Sequence, residues 1–244
     1  MSTFRAKAVP AALAALLTVS GFALAAPASA ATPTATHAAA GHFRYGNPSH
    51  HRFDGGSNWG GYIAQGSNFQ SISGSWTMPQ VQCNTSNDLF APWIGIDGYG
   101  SQTVEQTGVQ VDCSSGSPVY SGWYEMYPAA PVYWGGQVNA GDVFNASVTT
   151  DGSGNYTLTL TDTTQGWTQN TQQYLDAQNV SAEAVIESPS QSYPSFNKLD
   201  FSNLTVNDQV FDNSNPQAID SGQYTETPLQ NGAFSIVPAG NGGF

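Results

Sequence analysis

Apolar residues in this chain recur at every second position. In Asn155-Tyr-Thr-Leu-Thr-Leu-Thr161, Tyr156, Leu158 and Leu160 fall on one side and threonines on the other. A period of two places successive side chains on opposite faces of an extended strand, whereas a helix needs spacings of three and four. Just before this run, Asp151-Gly-Ser-Gly154 supplies the residues of a hairpin turn and joins it to a partner at 143–150. Similar short runs, each bounded by turn residues, occur at 58–65, 69–77, 90–97, 103–111, 119–127, 167–174, 181–187, 198–206 and 233–237. Long Ala/Leu/Glu/Lys stretches are missing. The pattern predicts an all-β sandwich or barrel.

Charge is distributed just as unevenly. All seventeen Asp and Glu residues lie after residue 52, where Lys198 is the sole cation and histidine is absent. The four histidines (His37, His42, His50, His51) and the three arginines (Arg5, Arg44, Arg52) come earlier. Segment 53–244 therefore carries a net charge of −16, seventeen acids less one lysine. Such a surface repels nucleic acid and anionic membranes. Without histidine, Ser-His and Cys-His chemistry is excluded there, and no metal site or cofactor is expected. Acid–base work falls to carboxylates assisted by amides and hydroxyls. A domain with one lysine also cannot accumulate the positive charge that unfolds proteins in acid. The composition suits low pH.

Residues 1–30 read as a secretory signal, with Arg5 and Lys7, an apolar run from Val9 to Ala25, and Ala28-Ser29-Ala30 as the cleavage site. Residues 31–52 form a basic leader or pro-segment with four His, two Arg and no acid, suited to docking on an acidic domain. Segment 53–244 has the length of one domain. A secreted, extracellular monomer is expected. In an exported protein Cys83 and Cys113 are expected to pair, and closing that loop contributes about 3–4 kcal/mol in the chain-entropy model.

Alternation also sorts side chains by face. In Trp93-Ile-Gly-Ile-Asp97, Ile94 and Ile96 point one way and Trp93, Gly95 and Asp97 the other. Trp123, Glu125 and Tyr127 share a face, as do Gln106, Gly108 and Gln110, opposite Glu105. Glu183, Val185 and Glu187 lie opposite Ala182, Ala184 and Ile186. Several strands thus pair an aromatic-and-acid face with an aliphatic one. A sheet lined in this way is a groove for peptide or for sugar.

Five segments in order resemble the glutamic peptidases, or eqolisins. They are Ser57-Asn-Trp-Gly-Gly-Tyr62, Trp93-Ile-Gly-Ile-Asp-Gly98, Glu105-Gln-Thr-Gly-Val109, Trp123-Tyr-Glu-Met-Tyr-Pro128 and Ala184-Val-Ile-Glu187. The resemblance implies a sandwich of two curved antiparallel sheets, lectin-like in outline, and a secreted endopeptidase acting on proteins or peptides at acidic pH. It implies Gln106 and Glu187 as the catalytic pair, with Trp59, Trp93, Asp97, Glu125 and Tyr127 around the substrate groove. Asp97 would then bond near the pair and tune it. Ser188-Pro189 departs from the family pattern, where Asp and an aromatic follow the glutamate, and this bears on subsite shape. Two other readings compete. One is a glycan-binding or glycoside-hydrolysing sandwich using Glu125 and Glu187. The other is a pepsin-like aspartic peptidase through Asp220 in Ile219-Asp-Ser-Gly222, although that chemistry needs two such loops and the chain has one.

Overall fold

The computed structural model describes residues 58–240, so the expected signal at 1–30 and leader at 31–52 lie outside the described residues. Fifteen strands follow one another: β1 (Trp59–Gln65), β2 (Ser71–Thr77), β3 (Leu89–Asp97), β4 (Val104–Asp112), β5 (Val119–Tyr127), β6 (Val132–Tyr133), β7 (Val143–Thr150), β8 (Asn155–Asp162), β9 (Trp167–Tyr174), β10 (Ser181–Glu187), β11 (Leu199–Val206), β12 (Gln209–Val210), β13 (Gln217–Ile219), β14 (Tyr224–Glu226) and β15 (Phe234–Pro238). A single 3₁₀ turn, Phe211–Ser214, interrupts them, and no α-helix occurs among the described residues.

The strands form two antiparallel sheets. The first has the order β13-β1-β10-β3-β4-β5-β6, the second β14-β15-β11-β2-β7-β8-β9, with β12 paired to β11. The β7–β8 hairpin closes as its sequence dictates. Asp151 Oδ1 accepts the Ser153 and Asn155 amides at 2.7 and 3.2 Å, and Gly152 and Gly154 take the positive φ that the turn requires.

The main core lies between the sheets. Ile94, Ile96, Val109, Val111, Ala182, Ala184 and Ile186 from the first sheet belong to one buried cluster with Trp76, Phe144, Val148, Leu158, Leu160 and Phe201 from the second. Fully burying one such large side chain contributes about 1.5–3 kcal/mol, so a slip of one residue, which would turn a whole strand's apolar set outward, is heavily disfavoured. The outer face of the second sheet is different. It carries Ser71, Ser73, Ser75, Asn145, Ser147, Thr149, Thr157, Thr159, Thr161, Thr168, Asn170 and Gln172, all of them uncharged.

The Cys83–Cys113 disulfide ties the segment entering β3 to the residue following β4. Beside it, Asp88 accepts hydrogen bonds from Thr85 and from the hydroxyl of Ser192, which anchors the turn after β10. β3, β4 and β10 are thus braced at one end.

Candidate active site

The outer face of the first sheet carries a second buried cluster of Trp59, Ile63, Ala91, Trp93, Val104, Trp123 and Val185. Strand register sets its layout. Glu187 lies between Trp59 of β1 and Ala91 of β3. One rung along, Val185, Trp93, Gly108 and Trp123 lie side by side across β10, β3, β4 and β5. On the next rung come Glu183, Gly95, Gln106 and Glu125.

The two glycines in this array have a steric cause. A Cβ on Gly108 would sit 2.6 Å from Trp93 Cβ and 2.3 Å from the Pro92 carbonyl oxygen. A Cβ on Gly95 would lie 3.0 Å from both Gln106 Cβ and the Trp93 ring. Bare backbone on both sides therefore lets the Trp93 indole lie across the sheet. Its edge-to-face contact with Trp59, at a centroid distance of 4.9 Å and 82° between planes, fixes both rings.

Held in this way, the Trp93 indole N–H donates to Glu187 Oε2 at 3.0 Å. Burial pushes Glu187 up to about 8, while the indoles of Trp59 and Trp93 act in the opposite direction by favouring the carboxylate. On the neighbouring strands β4 and β5, Gln106 Nε2 donates to Glu125 Oε2 at 2.7 Å. Burial, then the charge of Glu187, pushes Glu125 up to about 9. Although two rungs and two intervening strands separate their backbones, the carboxyls of Glu125 and Glu187 are near enough to repel one another. The structure thus brings together Trp59, Trp93, Gln106, Glu125 and Glu187, every one of them buried. Tyr127 lies one rung further on beside Val104, half-buried at the edge of the same cluster.

Asp97 is placed elsewhere. With φ at 65° it leaves the strand in the left-handed region. Its carboxylate accepts the backbone amides of Gln178, Asn179 and Val180 at 3.0, 2.8 and 2.8 Å, with the Thr103 hydroxyl at 3.4 Å. The expected bond near the catalytic pair gives way to a clamp on the connection leading into β10, because three converging N–H donors satisfy a buried carboxylate better than one amide could.

Further buried polar residues line the same strands. Glu183 is fully buried, and its pKa is raised well above the usual range, first by burial. Gln110 accepts the Tyr133 hydroxyl at 3.3 Å, so β6 closes the far side of the groove. Alternation could have found Gln110, which shares its face with Gln106. Nothing in the sequence marks Tyr133, since a strand of two residues has no period to read. Glu105 points into the space between the sheets, flanked by Ile96 and Met126, and burial followed by the nearby charge of Asp97 pushes it up to about 9. Ser188 forms a closed turn after Glu187, its hydroxyl accepting the Ser192 amide at 2.9 Å. Asp220 is exposed and caps its own turn through the Gly222 amide at 2.7 Å.

A family model described as the Peptidase A4 family matches residues 57–235. Scytalidopepsin B of Scytalidium lignicola is 39% identical over 106 residues, a stretch covering 42% of this chain and 39% of that protein. Among solved structures, scytalido-glutamic peptidase with a transition-state analogue inhibitor aligns with a TM-score of 0.61 at 22% identity, over 75% of this chain and 98% of that one. SCP-B, described as a member of the eqolisin family in complex with the tripeptide Ala-Ile-His, aligns with a TM-score of 0.61 at 21% identity over the same shares. These two likenesses establish the two-sheet fold. The family model spans nearly all of the described residues and every strand of the groove, and on that ground the chain belongs to the Peptidase A4 family.

Proposed function

We propose that this protein is a secreted glutamic endopeptidase that hydrolyses peptide bonds of proteins in acid, with Glu187 as general base and Gln106 as oxyanion donor. The observation that carries the reading is one face of the first sheet, where a buried carboxyl flanked by indole N–H donors lies among the same residues as a buried amide bonded to Glu125, with no histidine in the domain. Water attacks the peptide carbonyl carbon and passes a proton to Glu187. The carbonyl oxygen becomes an oxyanion that accepts an N–H from Gln106. The C–N bond then breaks, and Glu187 returns its proton to the leaving amine. An amide does not titrate, so the oxyanion donor persists at any acidity.

The base must be a carboxylate, yet burial holds Glu187 near 8 in the closed groove. Water entering with substrate relieves that desolvation, while the indole donors continue to favour the charged form. The working pKa therefore falls toward the ordinary carboxylate range and sets an acidic optimum. The relatives' names and inhibitor complexes support a peptide substrate. Export rests on the signal-like residues 1–30, and a maturation point after the leader rests on its change of composition.

The test is digestion of a denatured protein at pH 3–4 by the mature domain, with Glu187→Gln as control. Cleavage by the wild type and none by the variant is the expected result. An active Glu187→Gln would overturn the assignment.

A further inference from the structure

Gln106 can serve an oxyanion only if its amide is oriented. The terminal torsion of a glutamine is broad, so a free amide samples many directions. On the β3 side its cross-strand neighbour is Gly95, which has no side chain to hold it. On the β5 side its neighbour is Glu125, whose Oε2 accepts the Gln106 Nε2 amide at 2.7 Å. Gln106 Oε1, also buried, accepts no hydrogen bond among the described residues. One N–H is therefore fixed on Glu125, which leaves the second N–H and the carbonyl oxygen for the reaction.

We propose that Glu125 is a positioning residue that acts through Gln106, locking its amide so that the second N–H meets the oxyanion and Oε1 meets the attacking water. This inference rests on the catalytic reading of Gln106 and Glu187. Glu125 does so as a neutral carboxyl. Its carbonyl-type oxygen accepts from Gln106, and neutrality keeps a second negative charge away from Glu187. The rival reading, in which Glu125 grips substrate directly, assigns its energy to binding instead of orientation.

A double-mutant cycle separates the two. Glu125→Ala is expected to lower kcat by about 10–100-fold with KM nearly unchanged, a fraction of the roughly 10²–10³-fold carried by one oxyanion donor. The same change made in a Gln106→Ala background is expected to cost nothing further. Glu125→Gln, which keeps an acceptor oxygen in the same place and guards against loss of folding, is expected to recover most of kcat. Equal costs in both backgrounds, or a raised KM with kcat intact, would overturn the proposal. Activity in Glu187→Gln would instead show that the underlying catalytic reading is at fault.

Discussion

Two sites in the first sheet bury carboxyl groups, and they do so for different ends. In the groove, Glu187 and Glu125 are met by side-chain N–H donors that act on their protonation from outside the sheet–sheet core. At the end of the same sheet, Asp97 is clamped by backbone amides, and its charge acts on Glu105 on one face and on Glu183 on the other. Burial drives Glu105, Glu125, Glu183 and Glu187 in one direction, toward the neutral form. What differs is access to donors and to the groove. In the proposed mechanism a raised carboxyl beside an oriented amide exchanges protons with substrate, whereas one facing Ile96 and Met126 acts on the stability of the fold.

The largest effect that tests this contrast is expected from Glu187→Gln. Peptide hydrolysis should vanish while the melting temperature in acid stays at the wild-type value, as read by an acid digestion assay and a thermal melt. Gln106→Ala should follow with a loss of about 10²–10³-fold in kcat, measured on a chromogenic peptide. If Glu105→Gln matched either loss, the contrast between the two sites would collapse.

Glu105→Gln is expected to keep most activity and to reveal the second site through stability. The folded value of Glu105 is raised to about 9 from 4.5. Its contribution is full below 4.5 and fades as pH rises through 9, because the unfolded chain releases the proton first. Wild type should therefore melt at a lower temperature at pH 7 than at pH 4. The glutamine variant should regain stability at pH 7 by about 2–4 °C for each kcal/mol recovered, with little change at pH 4. A wild-type melting temperature highest near pH 8 would contradict this. The smallest effect concerns Trp93→Phe, which removes an N–H that favours the Glu187 carboxylate. The acidic limb of kcat/KM should move upward by roughly one pH unit, since hydrogen bonds to charged groups are worth about 1.5–3 kcal/mol. An unmoved limb would separate Trp93 from the base.

Much of this was legible in the sequence, for reasons that can be located. β8 alternates strictly, and β3, β4 and β10, though buried on both faces, are long enough for period two to sort their side chains, so the face shared by Trp93, Gln106, Glu125 and Glu187 was readable. β6, β12, β13 and β14 have two or three residues each and show no period. Asp97 was read by alternation as groove-facing, but its positive φ breaks the alternation at the strand end. The pairing of Gln106 with Glu125 also escaped, because register between strands depends on the β4–β5 loop and on the whole sheet.

The hydroxyl- and amide-lined outer face of β2, β7, β8 and β9 has a consequence for solubility. As carboxylates neutralise, a protein with one lysine in its domain loses the like-charge repulsion that keeps molecules apart in solution. Ser73, Ser147, Thr159, Asn170 and their neighbours bind water through hydroxyl and amide groups at every pH. That hydrated layer is expected to oppose precipitation at a pH where charge no longer does. Colloidal stability at low pH is therefore expected to reside in a different sheet from the proposed site, and substituting leucine along β8 and β9 should make the protein salt out in acid before any activity is lost.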